Sequence, residues 1–353
     1  MKAARLHEYD EKIGTHPLRV EEVEDPKIEG PFDVIVRIGA AGLCRTDLHI
    51  IEGQWQPIQD PDHTLLPYIP GHENAGWVEE VGSAVTNVRP GDTVIVHPLI
   101  TCGLCRACRA GDDMHCENAS FPGLSRDGGF AEYLKTSARS VVKLDPGLHP
   151  RDIAALADAG LTAYHAVKKA APLLYPGARC VVIGSGGLGH IGIQTLKALT
   201  PAEVIVVDPS EKALELAREL GADQTVKVEG GYVERVLEMT GGGAEVVMDF
   251  VGEKGAQADA WRMTRPRGSH FVVGYGGKVE VPTIDIISTE RNIVGNLVGT
   301  YNDLAELMTL TAQGKVRLHT RTYPLEEINA AIADLNEGRL QGRGIIVPEG
   351  AAA

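Results

Sequence analysis

The chain has 353 residues, a formal charge of -14 and a hydrophobic content of 43%. This length exceeds one ordinary core and predicts two domains, while the acidic balance excludes a partner that demands a broad basic face, such as a nucleic acid. No apolar run reaches the roughly 18 residues of a membrane helix, and the first ten residues lack the apolar centre of a signal peptide. With no such leader, the six cysteines point to metal or reactive thiols rather than a disulfide framework, and a cytoplasmic protein is expected.

Up to about residue 144, short runs of Val, Ile, Gly and Pro alternate. Residues 34–38, 77–81 and 93–96 read as strands, parted by turn signals such as Pro90-Gly91-Asp92, and predict a mostly antiparallel β domain. Just after the first of these strands, Cys44, Arg45, Thr46, Asp47 and His49 place a thiol, a guanidinium, a hydroxyl, a carboxylate and an imidazole within six positions. Read alone, the segment is a polar loop with one buried cysteine. Further on, Pro67-Tyr68-Ile69-Pro70 leads into Gly71-His72-Glu73, where two side chains able to bind zinc are adjacent. Then Cys102, Cys105, Cys108 and Cys116 follow the pattern C-x2-C-x2-C-x7-C. Four thiolates this close can wrap one tetrahedral ion, so the lobe reads as a structural zinc site with no position left for substrate. An iron–sulfur site uses similar spacings but lacks its C-x3-C-P continuation here. Two disulfides disagree with a reducing compartment.

Composition shifts near Arg151. Residues 153–160 and 162–171 are helix-like, and Asp158 stands among alanines and glycines, either to cap a helix or to point into a site. Residues 178–183 read as a buried strand, with Cys180 as core. The loop Gly184-Ser185-Gly186-Gly187-Leu188-Gly189 follows, then a helical pattern over 190–199. This is G-x-G-x-x-G between strand and helix, where glycines permit a tight turn and close approach of a pyrophosphate to the helix N-terminus. A second strand ends at Asp208, 19 residues past Gly189. A carboxylate there accepts from a ribose 2′-hydroxyl and repels a 2′-phosphate, which favours NAD over NADP.

Helical stretches 212–220 and 232–239 alternate with strand-like 246–250, 270–273 and 293–297, the pattern of a doubly wound parallel sheet. Helices over 303–312 and 325–335 and an apolar end at 344–347 read as a return to the first domain. The expected organisation is therefore 1–152, with the cysteine lobe at about 100–117, then a nucleotide-binding domain over 153–295, then 296–353 rejoining the first domain. The active cleft is expected between the two.

Taken in this order, Cys44, Gly71-His72-Glu73, the four-cysteine lobe and the Gly184–Gly189 loop resemble the zinc-dependent medium-chain alcohol dehydrogenases over essentially the whole length. The resemblance implies an α/β protein with a GroES-like β-rich catalytic domain and a Rossmann domain, assembled as a homotetramer or homodimer. It implies two zinc ions per subunit and NAD. Cys44 and His72 match catalytic zinc ligands, and Asp158 falls where the family often has a third, cysteine, ligand. Glu73 matches a residue able to bind the ion, and Asp47 the carboxylate that orients the histidine ligand. Thr46 and His49 match a proton relay. Arg45 and Arg343 match pyrophosphate contacts, beside Gly184, Gly186, Gly187, Leu188, Gly189 and Asp208.

An alcohol gives up hydride readily only after its hydroxyl proton leaves. Zinc lowers the pKa of water from about 15.7 to about 7, and a comparable shift is worth about 12 kcal/mol, more than hydrogen bonds from these side chains supply. The expected reaction is reversible hydride transfer between a primary or secondary alcohol and NAD, giving an aldehyde or ketone. Trp55, Leu99, Phe121 and Leu297 are candidates for an apolar substrate pocket and equally for ordinary core. The rival readings are a polyol or sugar dehydrogenase and a glutathione-linked formaldehyde dehydrogenase.

Overall fold

The computed structural model describes residues 1–351. They divide into two compact units. The first holds Met1–Ala159, Gly299–Ala312 and the chain from Arg317; the second holds Gly160–Val298 and Gln313–Val316.

In the first unit the strand Asp33–Leu43 is the axis. It pairs antiparallel with Glu73–Val81, Tyr133–Ser137 and Arg343–Val347. The sheet continues outward to Thr93–Val96 and Val141–Lys143 on one side, and on the other to Thr320–Pro324, which lies parallel to Arg343–Val347. Nine of the eleven axial residues are apolar or glycine, the exceptions being Arg37 and the leading Asp33, and most are buried, as a strand covered on both faces requires.

Val34, Val36, Ile38, Leu43, Leu48, Tyr68, Phe130 and Ile346 meet in one core cluster. Each such side chain contributes about 1.5–3 kcal/mol on burial. Gly42 sits opposite Glu73 in the register, and a Cβ there would collide with the Glu73 carboxylate. The absence of a side chain at 42 is what lets Glu73 lie beneath the axial strand.

The strand expected at 77–81 begins earlier, at Glu73, which places His72 at its mouth. The loop expected to carry Cys44 to His49 is instead the helix Arg45–Ile51, with Cys44 as its N-cap. The helix expected over 153–160 is broken into Pro150–Ile153, a 3₁₀ turn Ala154–Ala157 and the helix Ala159–Ala170. Asp158 stands at the break with φ −127° and ψ −59°. The turn Ala154–Ala157 packs on the strands Asp33–Leu43 and Glu73–Val81. This packing carries the first unit to residue 159, past the boundary expected at 152.

The second unit is a six-stranded parallel sheet. Its order is Gln224–Lys227, Glu203–Asp208, Arg179–Ile183, Ala244–Asp249, Thr264–Val272, Asn292–Gly295. Successive residues of one strand enter opposite clusters. Cys180 and Val182 pack with Ile193, Leu196 and Leu214 on one face, while Val181 and Ile183 pack with Val233, Val236 and Met263 on the other. Both faces are covered by helices, the doubly wound arrangement. Cys180 is fully buried, and burial pushes its thiol pKa up, so it is inert core. Among the described residues no helix is long and apolar enough to cross a membrane.

Candidate functional site

The strand–helix junction at Cys44 assembles the first cluster. Asp47 Oδ2 accepts from the Cys44 N–H at 2.8 Å, which fixes the start of the helix. Its other oxygen, Oδ1, faces His72 Nδ1 at 3.1 Å. Asp47 is acceptor-only when ionised, so His72 donates from Nδ1 and keeps a lone pair on Nε2. That nitrogen is buried without a hydrogen bond and lies 3.5 Å from Asp158 Oδ2. The Phe121 ring stands edge-on to the imidazole, 6.0 Å between centroids.

Cys44, His72, Glu73 and Asp158 each offer a ligand atom, all within 4.8 Å of one another. Burial works against a charged His72, but Asp47, Asp158 and Cys44 around it outweigh burial and raise its pKa well above the usual range. The acids gathered around His72 thus call for a positive charge in the cluster, one that a cation bound at Nε2 would supply in place of a ring proton. A thiol, an imidazole and carboxylates are the donors zinc takes, and an orphaned Nε2 aimed among them fits that ion.

Glu73 is fully buried and doubly held. Oε1 accepts from the Ala159 N–H at 3.0 Å, and Oε2 is ion-paired with Arg343. Burial pushes the Glu73 carboxyl upward and the guanidinium opposes it. Arg343 is itself only 4% exposed. Burial disfavours its charge, yet Glu73 and Cys44 beside it raise its pKa and keep it charged. The residue expected at a pyrophosphate is therefore committed to a buried carboxylate, and nothing in the sequence marked a partner 270 positions away.

Thr46 and His49 lie three residues apart on the helix Arg45–Ile51, hence on one face. His49 is 9% exposed, and Arg45 is exposed. Of the expected pocket residues, Phe121 abuts His72. Trp55 is half-buried against the core, Leu99 is buried, and Leu297 belongs to the second unit and is 54% exposed.

In the cysteine lobe all four Sγ atoms lie within 4.8 Å of one another, and no disulfide joins them. Cys108 rides on the short helix Arg106–Ala110, and a 3₁₀ turn, Asp113–His115, delivers Cys116. Leu104 N–H and Cys105 N–H both donate to Cys102 Sγ at 3.4 Å and lower its pKa to about 6. Burial pushes Cys108 up to about 12. One thiol is ready to ionise, and the other needs a cation to do so, as in a closed four-thiolate site.

In the second unit, the Gly184–Gly189 loop joins the strand Arg179–Ile183 to the helix Gly189–Leu199, beside the place where strand order reverses. Gly184 has φ +85°, and a Cβ on Gly189 would strike the Gly184 carbonyl, whereas Gly186 faces open space. Asp208 Oδ2 accepts from the Ser185 N–H at 2.9 Å and from its hydroxyl at 3.3 Å. Ser185, unmarked in the sequence, therefore holds the carboxylate at the loop.

Two family models match: the alcohol dehydrogenase GroES-like domain over residues 30–146 and the zinc-binding dehydrogenase over 187–313. The chain is 36% identical to an alcohol dehydrogenase of Geobacillus stearothermophilus, over 98% of this chain and 99% of that one. It is 37% identical to a D-arabinose 1-dehydrogenase (NADP(+)) of Saccharolobus solfataricus, over 98% and 97% respectively. The crystal structure of the alcohol dehydrogenase from the hyperthermophilic archaeon Aeropyrum pernix superimposes with a TM-score of 0.93 at 50% identity, covering 99% and 100% of the two chains.

Proposed function

Because the chain belongs to the zinc-dependent medium-chain alcohol dehydrogenase family, we propose that it is an NAD-dependent alcohol dehydrogenase interconverting a primary or secondary alcohol with its aldehyde or ketone. The observation that carries this reading is the convergence of Cys44, His72, Glu73 and Asp158 within 4.8 Å, with Asp47 orienting the imidazole.

When bound, zinc supplies the Lewis acidity that makes a substrate hydroxyl acidic, and NAD supplies the hydride acceptor. Cys44, His72 and Asp158 would hold the catalytic zinc, with Glu73 as an alternative ligand, and Cys102, Cys105, Cys108 and Cys116 the structural zinc. The Thr46 hydroxyl receives the substrate proton and His49, on the same helix face, passes it outward. Gly184 to Gly189 admit the pyrophosphate to the helix N-terminus, Arg45 adds charge, and Asp208 accepts from the ribose. Phe121, packed edge-on against His72, lines the apolar side of the substrate position.

A homo-oligomer, tetramer or dimer, is part of this reading. Asn292–Gly295 is an edge of the parallel sheet. Tyr275, Val279, Ile284, Ile287, Ile293 and Leu297 are six of the eleven exposed large apolar side chains among the described residues, a concentration that favours a covering copy. The proposed location is the cytoplasm.

A second reading, a sugar or polyol dehydrogenase, is favoured by the relative that oxidises D-arabinose. NADH absorbance across short, long, secondary and polyhydric alcohols and aldoses separates the two. Turnover confined to aldoses or polyols would reject the first reading.

A further inference from the structure

We propose that Asp113, inside the four-cysteine lobe, is a positioning residue that clamps the helix Tyr301–Ala312 and, through it, sets the segment that presents Asp158. Asp113 is 8% exposed and lies in the 3₁₀ turn between Cys108 and Cys116. Its Oδ2 accepts from the Tyr301 N–H at 2.9 Å, across 188 residues of sequence. Tyr301 opens the helix Tyr301–Ala312, so its amide is one of the donors that a helix leaves without an internal partner.

The rest of that helix start is closed by other bonds. Thr300 and Asp303 cap each other, side chain to amide, at 3.0 Å both ways. The Tyr301 hydroxyl donates to the Val141 carbonyl at 3.1 Å. His97 Nδ1 accepts from the Leu99 N–H at 3.3 Å, which leaves Nε2 to donate to the Gly299 carbonyl at 2.9 Å. The returning chain at 299–303 is thus pinned at three places, and one pin comes from the lobe.

The helix then carries the constraint inward. Its buried side, Asp303, Leu304, Leu307 and Met308, packs toward the turn Ala154–Ala157, whose four residues are all buried. Asp158 is the next residue, 14% exposed in its side chain and 3.5 Å from His72 Nε2. An interior packed this densely transmits a displacement rather than absorbing it. A charge-assisted bond at Asp113 therefore bears on where Asp158 stands, and the lobe acts on the catalytic cluster without touching it.

The test uses the full-length zinc-loaded protein as wild type, Asp113→Ala and Asp113→Asn. Amide hydrogen exchange is followed over residues 299–304 and 155–161, together with the rate at which a chelator strips zinc. Loss of the clamp predicts about tenfold faster exchange in both segments of Asp113→Ala, with the remainder of the first unit unchanged. One zinc is lost several-fold faster while the other, in the four-thiolate site, is retained. Asp113→Asn, whose carbonyl still accepts from the Tyr301 amide, restores most of both. Unchanged exchange over 155–161, a rise spread evenly over the unit, or no rescue by asparagine each overturns the proposal. Asp113→Ser, too short to reach the amide, replaces the alanine variant if that does not fold. The zinc-release readout rests on Asp158 being a ligand. Failure of that assignment appears separately, as one zinc rather than two in the wild type, and leaves the exchange comparison decisive for the clamp.

Discussion

Asp47 Oδ1 lies 3.1 Å from His72 Nδ1, and the same carboxylate's Oδ2 accepts from the Cys44 N–H at 2.8 Å. One fully buried side chain therefore orients two of the proposed zinc ligands, by fixing the histidine tautomer and the start of the helix that follows Cys44. Replacing it by asparagine keeps the shape and removes the charge. We predict that Asp47→Asn weakens catalytic zinc binding by about 10- to 100-fold, measured by chelator competition, with the four-thiolate zinc unaffected. Equal affinity in variant and wild type would mean that Asp47 does not tune the ligand.

The Glu73–Arg343 pair is buried at both ends. Removing one partner leaves a charge without compensation, at a cost of about 3–5 kcal/mol, whereas removing both is far less harmful. Arg343→Met should therefore lower the urea unfolding free energy by about that amount, and the double change with Glu73→Gln should recover most of it. A loss below about 1 kcal/mol for the single variant would place the pair in water rather than in the interior.

Asp208 is held against the glycine loop by Ser185. In Asp208→Asn the amide oxygen can keep the Ser185 contact while the charge that repels a 2′-phosphate is gone. The ratio of kcat/KM for NADP over NAD should rise at least about tenfold, equivalent to about 1.4 kcal/mol. Steady-state kinetics with both cofactors reads this directly, and an unchanged ratio removes Asp208 from cofactor choice.

His270 is fully buried in the sheet of the second unit, and neither ring nitrogen has a hydrogen-bond partner. Burial lowers its pKa from 6.5 to about 4. Above pH 6.5 neither folded nor unfolded chain holds the proton. Between 6.5 and about 4 the unfolded chain binds it and the folded one does not, so stability falls as pH falls, by about 3 kcal/mol over the window. His270→Leu should remove that share of the acid sensitivity and leave the protein at least as stable at pH 7, since an unsatisfied buried group costs about 1–3 kcal/mol. Denaturation curves from pH 7 to pH 4 test it; parallel curves for both proteins would contradict it.

What the sequence revealed was local. The glycine loop, the strand before it and Asp208 lie within 30 residues, and their order alone carries the geometry. The four cysteines likewise sit in one short lobe. The helix Arg45–Ile51 escaped notice because its N-cap is a cysteine, which is not among the usual capping residues, and because seven residues are too few for a clear period. The break at Asp158 was hidden by an alanine-rich run that favours helix on both sides; tertiary packing of the turn Ala154–Ala157 overrides that propensity. The commitment of Arg343 to Glu73, and of Asp113 to Tyr301, could not be read at all, since each joins segments that only the fold brings together.

In the proposed function Cys44, His72 and Asp158 hold a catalytic cation distinct from the one in the cysteine lobe. Metal analysis of purified wild type and Asp158→Ala addresses it most directly. Wild type should carry about two zinc ions per chain and the variant about one, with its fold intact and NADH formation abolished. One zinc per wild-type chain, or a fully active variant that still carries two, would contradict it.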